Sequence, residues 1–394
     1  MQKVYIISAK RTAIGSFLGS LANTSAVELG TVVTKAVLED SGVSPEKIDE
    51  VIFGNVLSAG LGQNVSRQIA LKCAIPESVP SFTINKVCGS GMKALQLAYQ
   101  SIVLCEADAI IAGGTENMTQ SPFILKGARQ GLKLGNSNLI DSMINDGLWC
   151  AANDYHMGIT AENIAEKYNI SREEQDNFAA ISQKKAAFAS EKEYEAEIVP
   201  VLVKKGKSTE NFKTDEYIKP ETTAEKLSGL RAAFKTGGSG TVTAGNSSGI
   251  NDGAAVLLLA GEKFVKENNL KPLAEITGFA STGVDPSVMG IGPVEAIKKL
   301  LLKTNQNIKD IELFELNEAF AVQSLAVLKD LNINPDIVNV NGGAVALGHP
   351  IGASGARIVV TLLHALKKRD LRTGIASLCI GGGMGIAMSI KTEN

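Results

Sequence analysis

The sequence predicts an α/β protein whose core consists of two similar halves, with layered helices and mixed sheets, and carries an inserted loop domain. Strand and helix patterns alternate over the first 118 residues, and the same alternation returns from residue 241 to the last residue. A long irregular segment, rich in polar residues, separates the two regions. Such alternation is typical of a parallel or mixed sheet with helices on both faces.

Length and composition narrow the class of protein. The chain has 394 residues, enough for two or three domains, and its 39 glycines and 5% aromatic residues are typical of a tightly turning α/β protein. Lysine and arginine number 39 against 41 aspartates and glutamates, so the net charge of −2 argues against nucleic-acid or membrane-surface binding. The sequence shows neither a signal peptide nor an apolar run long enough to cross a membrane.

The five cysteines indicate a reducing compartment. Their number is odd, they are scattered, and none forms a Cys-x-x-Cys pair, so neither a disulfide framework nor a zinc site fits. We therefore expect a soluble, cytoplasmic protein that binds no metal.

The first half of the chain begins with a strand and keeps a regular alternation. Apolar residues at helical spacing predict a helix that begins near Ser25 and ends at Gly42. Further along, a strand leads into Cys88 and a helix follows it. The predicted strands are residues 3–9, 51–56, 81–87 and 109–112, and the predicted helices are residues 25–40, 64–72 and 92–104.

The alternation is lost from residue 119 to residue 240. Ser171 and Glu174 form the capping-box pattern that opens a charged helix, and residues 204–226 are polar enough for a surface loop. We interpret residues 119–240 as a loop domain inserted into the core, where substrate specificity usually lies. The core then divides into an N-terminal half, residues 1–118 plus 241–270, and a C-terminal half, residues 271–394.

The second half repeats the pattern of the first. Residues 252–260 fit either a helix or a strand. The other predicted strands are residues 271–280, 311–316, 374–378 and 384–390, and the predicted helices are residues 293–302, 318–328 and 351–366. Each half contains a strand, a glycine-rich turn and a helix, at Cys88 in the first and at Gly342-Gly343 in the second, which favours a duplication.

Cys88 is the first candidate catalytic residue. It stands at a strand-to-helix junction before Gly89-Ser90-Gly91, so its side chain is expected at the N-terminus of a helix. The free N–H groups and the macrodipole at that end stabilise a thiolate, so we expect a lowered pKa and a nucleophile. A buried structural cysteine at a tight turn is the alternative that this segment alone leaves open.

Three further segments at similar junctions suit acyl transfer. His349 lies among glycines and is predicted to act as the base for a cysteine, with turn capping as the alternative. Cys379 and Gly381 belong to a glycine run that lacks dinucleotide-binding spacing, and its N–H groups suit an oxyanion hole. Asn317 follows a strand, where it either positions a water molecule or caps the next helix.

Together these motifs resemble the signatures of the thiolase family, and the similarity runs over essentially the whole chain. Four dispersed motifs in the family's order are far more specific than any one of them. Residues 155–163 in addition resemble the short-chain biosynthetic type. The four motifs are Val-Cys-Gly-Ser-Gly at 87–91, Asn-Glu-Ala-Phe at 317–320, the stretch from Gly-Gly to Gly-His-Pro at 342–350 and Cys-Ile-Gly-Gly-Gly at 379–383.

The resemblance implies an α/β thiolase fold and a reaction that needs no cofactor. Two acetyl-CoA molecules would condense to acetoacetyl-CoA and CoA, with thiolysis as the reverse. Cys88, activated by His349, would carry the acetyl group, and Cys379 would remove a proton from the second acetyl-CoA. A water held by Asn317 would join His349 in binding the enolate oxygen. The N–H groups of Cys88 and Gly381 would bind the tetrahedral intermediate.

The resemblance also implies CoA contacts and a homotetramer, a dimer of dimers joined by the loop domain. The partners would be acetyl-CoA, acetoacetyl-CoA and CoA. Lys219 stands where an arginine often meets the phosphate end of CoA, and for any single Met or Phe a plain core role is the alternative. The implied CoA contacts are Leu148, His156, Met157, Lys219, Ala233, Phe234, Ala244, Ser248, Met289, Ala319 and Phe320.

Other classes of function stay open on the sequence alone. A condensing enzyme of the ketoacyl-synthase type would use a Cys-His-His or Cys-His-Asn set, which Cys379 argues against. A cysteine hydrolase would release acyl groups to water, and a non-catalytic CoA- or lipid-binding module would not be expected to keep Cys88, His349 and Cys379 together. We also hypothesise that an oxidant joins Cys88 and Cys379 in a disulfide that stops activity.

Overall fold

Strands from both halves of the chain meet in one mixed sheet. The structure is a computed structural model and describes residues 2–235 and 237–393. The elements before residue 118 are β1 (Val4–Thr12), β2 (Gly15–Ser16), α1 (Ala26–Ser41), β3 (Glu50–Gly54), α2 (Val65–Lys72), β4 (Ser81–Ile84), α3 (Ser90–Val103) and β5 (Ala109–Asn117).

The middle of the chain holds short strands and three helices before the regular pattern returns. Its elements are β6 (Phe123–Ile124), β7 (Ile140–Asp141), β8 (Trp149–Cys150), β9 (Tyr155–His156), α4 (Met157–Tyr168), α5 (Arg172–Lys192), β10 (Ile198–Val199), β11 (Val201–Lys205), β12 (Ser208–Phe212) and α6 (Ala224–Ser228). The remaining elements are β13 (Asn251–Gly261), α7 (Glu262–Glu267), β14 (Ala274–Gly283), α8 (Gly292–Thr304), β15 (Leu313–Leu316), α9 (Ala321–Leu331), α10 (Ala344–Leu347), α11 (Ile351–Lys368), β16 (Thr373–Ile380) and β17 (Met384–Thr392). Single helical turns lie at Pro45–Lys47, Ala128–Gln130, Pro286–Ile291, Ile308–Asp310 and Pro335–Ile337, and a π turn lies at Met143–Leu148.

The order of the strands shows the duplication. The N-terminal half has the hydrogen-bonded order β4-β3-β5-β13-β1, and the C-terminal half has β15-β16-β17-β14. In both halves the first pairings in this order are parallel and the later ones are antiparallel. The change comes at the β5–β13 pair in the N-terminal half and at the equivalent β16–β17 pair in the C-terminal half. A parallel bridge from Phe314 to Val338 marks, in the C-terminal half, the place that β4 takes in the N-terminal half. The halves join where Ile6 of β1 pairs with Ala274 of β14. The predicted core of two similar halves is thereby confirmed.

Helices form three layers around the two halves of the sheet. α1 and α2 pack on the outer face of the N-terminal half, and α8 and α9 cover the outer face of the C-terminal half. α3 and α11 pack against each other between the halves. This central contact needs glycine, because a Cβ on Gly91 would lie 2.8 Å from the nitrogen of Ala356, and one on Gly355 would lie 2.5 Å from the nitrogen of Met92. None of the described helices is both long and apolar enough to span a bilayer.

Most predicted elements are confirmed. Several of them have ends that are defined by residues nearby in the sequence. Ser25 caps α1 with a complete capping box, and Gly42 ends that helix in the left-handed conformation. Ser171 caps α5 in the same way. Residues 252–260, for which the sequence left two choices, lie in strand β13.

Two predicted boundaries are wrong at functionally important positions. The strand before Cys88 ends at Ile84 instead of Val87, because the following residues form a tight turn. The helix predicted to begin at residue 318 begins at Ala321, because the backbone before it is extended and pairs with residues 246–248. Asn317 therefore caps no helix.

The inserted segment is anchored to the core by a buried ionic cluster. Strand β10 pairs with the C-terminal end of β1. Arg11 of β1 is fully buried, with its guanidinium 2.6 Å from Glu197 and 2.7 Å from Asp215. Losing one partner of such a cluster would leave a buried charge uncompensated, at a cost of about 3–5 kcal/mol. The division into three domains at residues 118, 240 and 270 stays a prediction.

Candidate active site

Three turns bring the predicted catalytic residues to one cavity. Cys88 lies in the turn before α3, His349 lies between α10 and α11, and Gly381 follows the end of β16. All three line a cavity of about 330 Å³. Since α3 and α11 are packed together near their N-terminal ends, the turns that precede these two helices converge here.

The turn that presents Cys88 is strained. Val87 has a φ of 47°, in the left-handed region that a β-branched residue rarely adopts, at a cost of about 1–3 kcal/mol. The Ser90 hydroxyl accepts the N–H of Lys86 at 2.8 Å and donates to the carbonyl of Val87 at 2.7 Å. The Asn85 side chain accepts the N–H of Val87 at 2.9 Å. This turn, and not strand β4, determines where the cysteine points.

We expect Ser90→Ala to lower both stability and turnover. The change leaves the N–H of Lys86 without its partner, at a cost of about 1–3 kcal/mol, and frees the strained turn to relax. The melting temperature measured by circular dichroism should fall by about 2–4 °C for each kcal/mol lost. Turnover per folded molecule should fall about tenfold, as expected for a displaced nucleophile. Ser101→Ala, on the same helix, is the control, and equal turnover in both variants would contradict the role of Ser90.

The thiol of Cys88 does not have the lowered pKa that the sequence predicted. Burial raises its pKa to about 11, and the N–H groups of Gly381 and of Cys88 itself, which act in the opposite direction, do not compensate. Part of the residue is accessible from the cavity, but the sulfur is removed from bulk water. The expectation is wrong because loss of hydration outweighs the N-terminus of α3. The resting residue is a thiol that needs a base.

His349 is placed to supply that base. Burial, together with the charge of Arg357, lowers its pKa to about 3, so the ring is neutral at physiological pH. Nδ1 lies 2.6 Å from the hydroxyl of Ser354, which donates to the carbonyl of Pro350 at 2.9 Å. The hydroxyl therefore accepts the proton of Nδ1. Nε2 is left unprotonated, and it has no hydrogen-bond partner among the described residues.

Cys379 lies behind the cavity wall. Its side chain is fully buried in an apolar cluster with Met157, Met289 and Phe320, which line the cavity. Burial raises the pKa of its thiol far above the usual value, and the nearby Cys88 raises it further. Both cysteines are free thiols. A thiolate formed at Cys379 would be a strong base, and the predicted disulfide stays a hypothesis.

Asn317 contacts His349 and does not line the cavity. Its Oδ1 lies 3.5 Å from Nη2 of Arg357, whose Nη1 is paired with Glu315 at 2.8 Å. Because a guanidinium carries only donors, the amide oxygen faces Arg357 and the amide nitrogen faces His349. Nδ2 lies 3.4 Å from Nδ1 of His349, a long contact that leaves the shorter Ser354 bond to decide the tautomer. With Nδ1 protonated, both groups are donors, so the asparagine packs beside the ring and makes no hydrogen bond to it.

Comparison with known proteins agrees with this arrangement. The family model described as the thiolase N-terminal domain matches residues 4–263, and the thiolase C-terminal domain matches residues 270–392. The chain belongs to the thiolase family. It is 53% identical to the acetyl-CoA acetyltransferase of Cupriavidus necator over 100% of both chains. It is 54% identical to the acetyl-CoA acetyltransferase of Chromobacterium violaceum over 99% of both chains.

Solved thiolase structures have the same fold. The crystal structure of the Bacillus anthracis acetyl-CoA acetyltransferase matches with a TM-score of 0.97 and 45% identity, covering 100% of this chain and 99% of that one. The crystal structure of human mitochondrial 3-ketoacyl-CoA thiolase in complex with CoA matches with a TM-score of 0.95 and 42% identity, covering 100% and 98%. The predicted fold class and the acyltransferase class are confirmed.

The thiolase cavity is lined by every predicted CoA contact except Lys219. Lys219 lines an outer cavity of about 580 Å³, which shares Tyr217 and Ala244 with the inner one. Its ammonium lies 4.9 Å from the ring centre of Tyr217. His156 stacks on Phe234 at 4.7 Å, so the inner wall is largely apolar. A narrow apolar space that opens past a lysine suits an acyl-pantetheine arm followed by phosphate groups. The residues lining the inner cavity as predicted are Leu148, His156, Met157, Ala233, Phe234, Ala244, Ser248, Met289, Ala319 and Phe320.

Sequence reasoning missed several residues that shape this thiolase site. The sequence contains a signal for Ser354. Pro350 stands at the start of a helix, and a residue four positions later lies on the same face of that helix. Glu116 sits at the end of a buried strand, where a carboxylate is unusual. The cavity-lining residues that were missed come from separate segments and share no pattern; they are Val87, Met118, Gly147, Tyr217, Ser247, Gly249, Ile250 and Ile351.

Proposed function

We propose that this thiolase is an acetyl-CoA C-acetyltransferase, which condenses two acetyl-CoA molecules to acetoacetyl-CoA and CoA and also catalyses the reverse thiolysis. One observation carries the proposal. The thiol of Cys88, the free Nε2 of His349 and Gly381 line a single cavity, and the thiol of Cys379 lies just behind it. The full-length relatives named acetyl-CoA acetyltransferase support the choice of substrate.

The first half-reaction transfers an acetyl group to Cys88. Nε2 of His349 takes the thiol proton, and the sulfur attacks the thioester carbonyl of acetyl-CoA. The N–H of Gly381, which faces this sulfur, and that of Cys88 stabilise the oxyanion. The bond from the carbonyl to the CoA sulfur then breaks, and CoA leaves with the proton of Cys379. The products are acetyl-Cys88, an imidazolium and a Cys379 thiolate.

The second half-reaction forms the carbon–carbon bond. The Cys379 thiolate removes a proton from the methyl group of a second acetyl-CoA, and its raised pKa makes it a base strong enough for a C–H acid. The protonated Nε2 of His349 binds the enolate oxygen. The enolate carbon attacks the acetyl carbonyl, the bond to Cys88 breaks, and His349 returns its proton to that sulfur. Each proton is accounted for by protein groups, so we propose no cofactor.

A thiolysis assay tests the proposed function. The protein is mixed with acetoacetyl-CoA and CoA, and the loss of enolate absorbance is compared with the acetyl-CoA formed. We expect two acetyl-CoA molecules for each acetoacetyl-CoA consumed, and no consumption when CoA is left out. A comparison with 3-ketohexanoyl-CoA then bounds the acyl chain length.

The same assay separates the alternatives. A hydrolase would consume acetoacetyl-CoA without added CoA and release free acid. A condensing enzyme of the ketoacyl-synthase type would not carry out CoA-dependent cleavage, and a binding module would show no turnover at all. Folded, reduced protein that gives any of these results would contradict the proposal.

We propose that the protein assembles as a homotetramer, a dimer of dimers joined through its loop domain. The support is a run of apolar side chains on residues 123–144 that the single chain leaves exposed. Leu134 is fully exposed, and Phe123, Leu132 and Leu139 are more than half exposed. Exposed apolar side chains concentrated in one segment mark an interaction surface. Strands β6 and β7 pair with each other and hold both ends of this segment.

We expect Leu134→Glu to convert the tetramer into dimers. A charge at this position would be buried without a partner in the interface, at a cost of several kcal/mol in each contact. Light scattering coupled to size-exclusion chromatography reads the mass directly. Leu302→Glu on α8, another exposed leucine outside the segment, is the control and should stay tetrameric. A tetrameric Leu134→Glu protein, or a dimeric wild type, would contradict the proposal.

We also propose a cytoplasmic location. The mechanism needs Cys88 and Cys379 as free thiols, which a reducing compartment maintains. All five cysteines are unpaired in the structure.

A further inference from the structure

A buried carboxylate that the proposed reaction does not use lies near the nucleophile. Glu116 is fully buried close to the end of β5. Its Oε1 accepts the side-chain N–H of Asn55 at 2.8 Å and the backbone N–H of Leu57 at 3.2 Å. Its Oε2 accepts the backbone N–H groups of Val56 at 3.0 Å and of Gly352 at 2.9 Å. Four donors from two segments, residues 55–57 and Gly352, therefore converge on one side chain.

These partners favour the carboxylate form of Glu116. All four are donors, and a protonated carboxyl would direct its own O–H group at one of these N–H groups, which is an unfavourable donor–donor contact. Burial raises the pKa of Glu116 to about 7, while the three backbone N–H groups act to lower it. A buried charge is costly even when it is well hydrogen-bonded, so its presence is weak support for a role in stability alone.

The donors belong to the two walls that surround Cys88. One is the turn 56–57 after β3, and the other is the first turn of α11, which contains Gly352. A Cβ at position 352 would lie 2.6 Å from Oε2 of Glu116, so only glycine permits this approach. Cys88 packs against an apolar cluster that takes side chains from both walls: Val56, Leu57, Met118, Met143 and Ile351.

The duplication gives Glu116 a counterpart in the other half of the fold. The last residue of β5 that pairs with β3 is Gly114, and the last residue of β16 that pairs with β15 is Ser377. Two positions further on stand Glu116 and Cys379. Because side chains alternate along a strand, the two residues present their side chains to equivalent faces. The proposed base of one half thus corresponds to this carboxylate in the other.

We propose that Glu116 is a positioning residue for Cys88, which holds the turn 56–57 and the start of α11 together so that the thiol points into the cavity. The inference rests on the proposed role of Cys88 as nucleophile. The charge of Glu116 also opposes ionisation of that thiol. Removing the carboxylate should therefore misplace the sulfur and make it easier to ionise.

Glu116→Gln at pH 8 tests both effects. A glutamine oxygen accepts at most two of the four hydrogen bonds, and the amide nitrogen faces the remaining donors. We expect kcat for thiolysis to fall about tenfold or more, with KM for CoA unchanged within about twofold. Alkylation of Cys88 by iodoacetamide, followed by peptide mass spectrometry, should become about threefold faster, which corresponds to half a pKa unit. The buried Cys73 and Cys150 should stay protected.

Two further variants sharpen the test. Glu116→Asp keeps the charge but is too short to reach both walls, so it should lower kcat without faster alkylation of Cys88. Asp252→Asn is the matched control, since Asp252 is a buried carboxylate on the neighbouring strand β13 that accepts from Thr119 instead. It should leave kcat and alkylation within about twofold of wild type.

Several results would overturn the role of Glu116. These are a wild-type kcat in Glu116→Gln, the same losses in Asp252→Asn, or faster alkylation of all five cysteines at once. If the wild type shows no thiolysis while Glu116→Gln still accelerates alkylation at Cys88 alone, the proposed function fails and the coupling of Glu116 to Cys88 stands.

Discussion

Cys88→Ala is expected to lower kcat for thiolysis by about a thousandfold or more while CoA still binds. In the proposed mechanism this thiol carries the acetyl group, and the Ser90 hydroxyl cannot replace it because it is committed to the turn. The cavity walls that would hold the pantetheine arm come from other elements. Calorimetry should therefore give a Kd for CoA within about threefold of wild type.

Mass spectrometry of the intact protein provides the direct readout for this variant. Wild-type protein mixed with acetyl-CoA should gain one acetyl group, and Cys88→Ala should gain none. Cys105→Ala, at an exposed cysteine beyond the far end of α3, is the matched control and should keep full activity. More than a tenth of wild-type turnover in Cys88→Ala would rule out covalent catalysis at this position.

The sequence-based predictions succeeded where the signal was local. Ser25 and Gly42 define α1 because a capping box and a left-handed glycine act within a few residues. They failed at Val87, since a β-branched residue after an apolar run favours a strand, whereas here it adopts a left-handed turn. Ser90 makes that turn possible, and nothing in the sequence shows that its hydroxyl points backwards.

The direction of the pKa shift of Cys88 shows more clearly what cannot be predicted from the sequence. A helix N-terminus contributes up to about 2 kcal/mol to a nearby anion. Burial of an ionisable group shifts its pKa by as much as 3–5 units, and each unit corresponds to about 1.4 kcal/mol. The sequence predicts a helix from residue 92, shortly after Cys88, but it does not show how far the sulfur is removed from water. The larger effect, the loss of hydration on burial, could therefore not be predicted from the sequence.

The residues proposed to be catalytic were easier to find than the side chains that support them. Cys88, His349 and Cys379 stand in motifs that identify the family, and the structure brings them to one place. Ser354, Glu116 and Arg357 act through side chains that meet only after the two halves have packed. Their function depends on distances between elements that are far apart in the chain, and the spacing of residues along a sequence does not record such distances.

Cys379→Ala should separate the two half-reactions. Without this thiol the methyl proton of the second acetyl-CoA has no base, so condensation should fall by about a thousandfold or more. Thiolysis should fall equally, because the same sulfur protonates the enolate that forms when the carbon–carbon bond breaks. Acetylation of Cys88 should slow but persist, since the nucleophile and His349 are intact and a CoA thiolate is a stable leaving group. Released CoA, measured with a thiol reagent, should rise once to the enzyme concentration and then stop.

Cys150→Ala provides the matched control, because Cys150 is a fully buried cysteine in the same apolar cluster as Cys379. Both changes create a cavity of similar size, so any loss caused by packing alone should appear in both variants. A Cys379→Ala protein that cannot be acetylated would show that the first half-reaction depends on this thiol, and would contradict the expected separation. One that releases CoA continuously, with acetate as the product, would show that water reaches acetyl-Cys88. That result would favour a hydrolase, because a thiolase must keep its acetyl-enzyme intact until the second acetyl-CoA arrives.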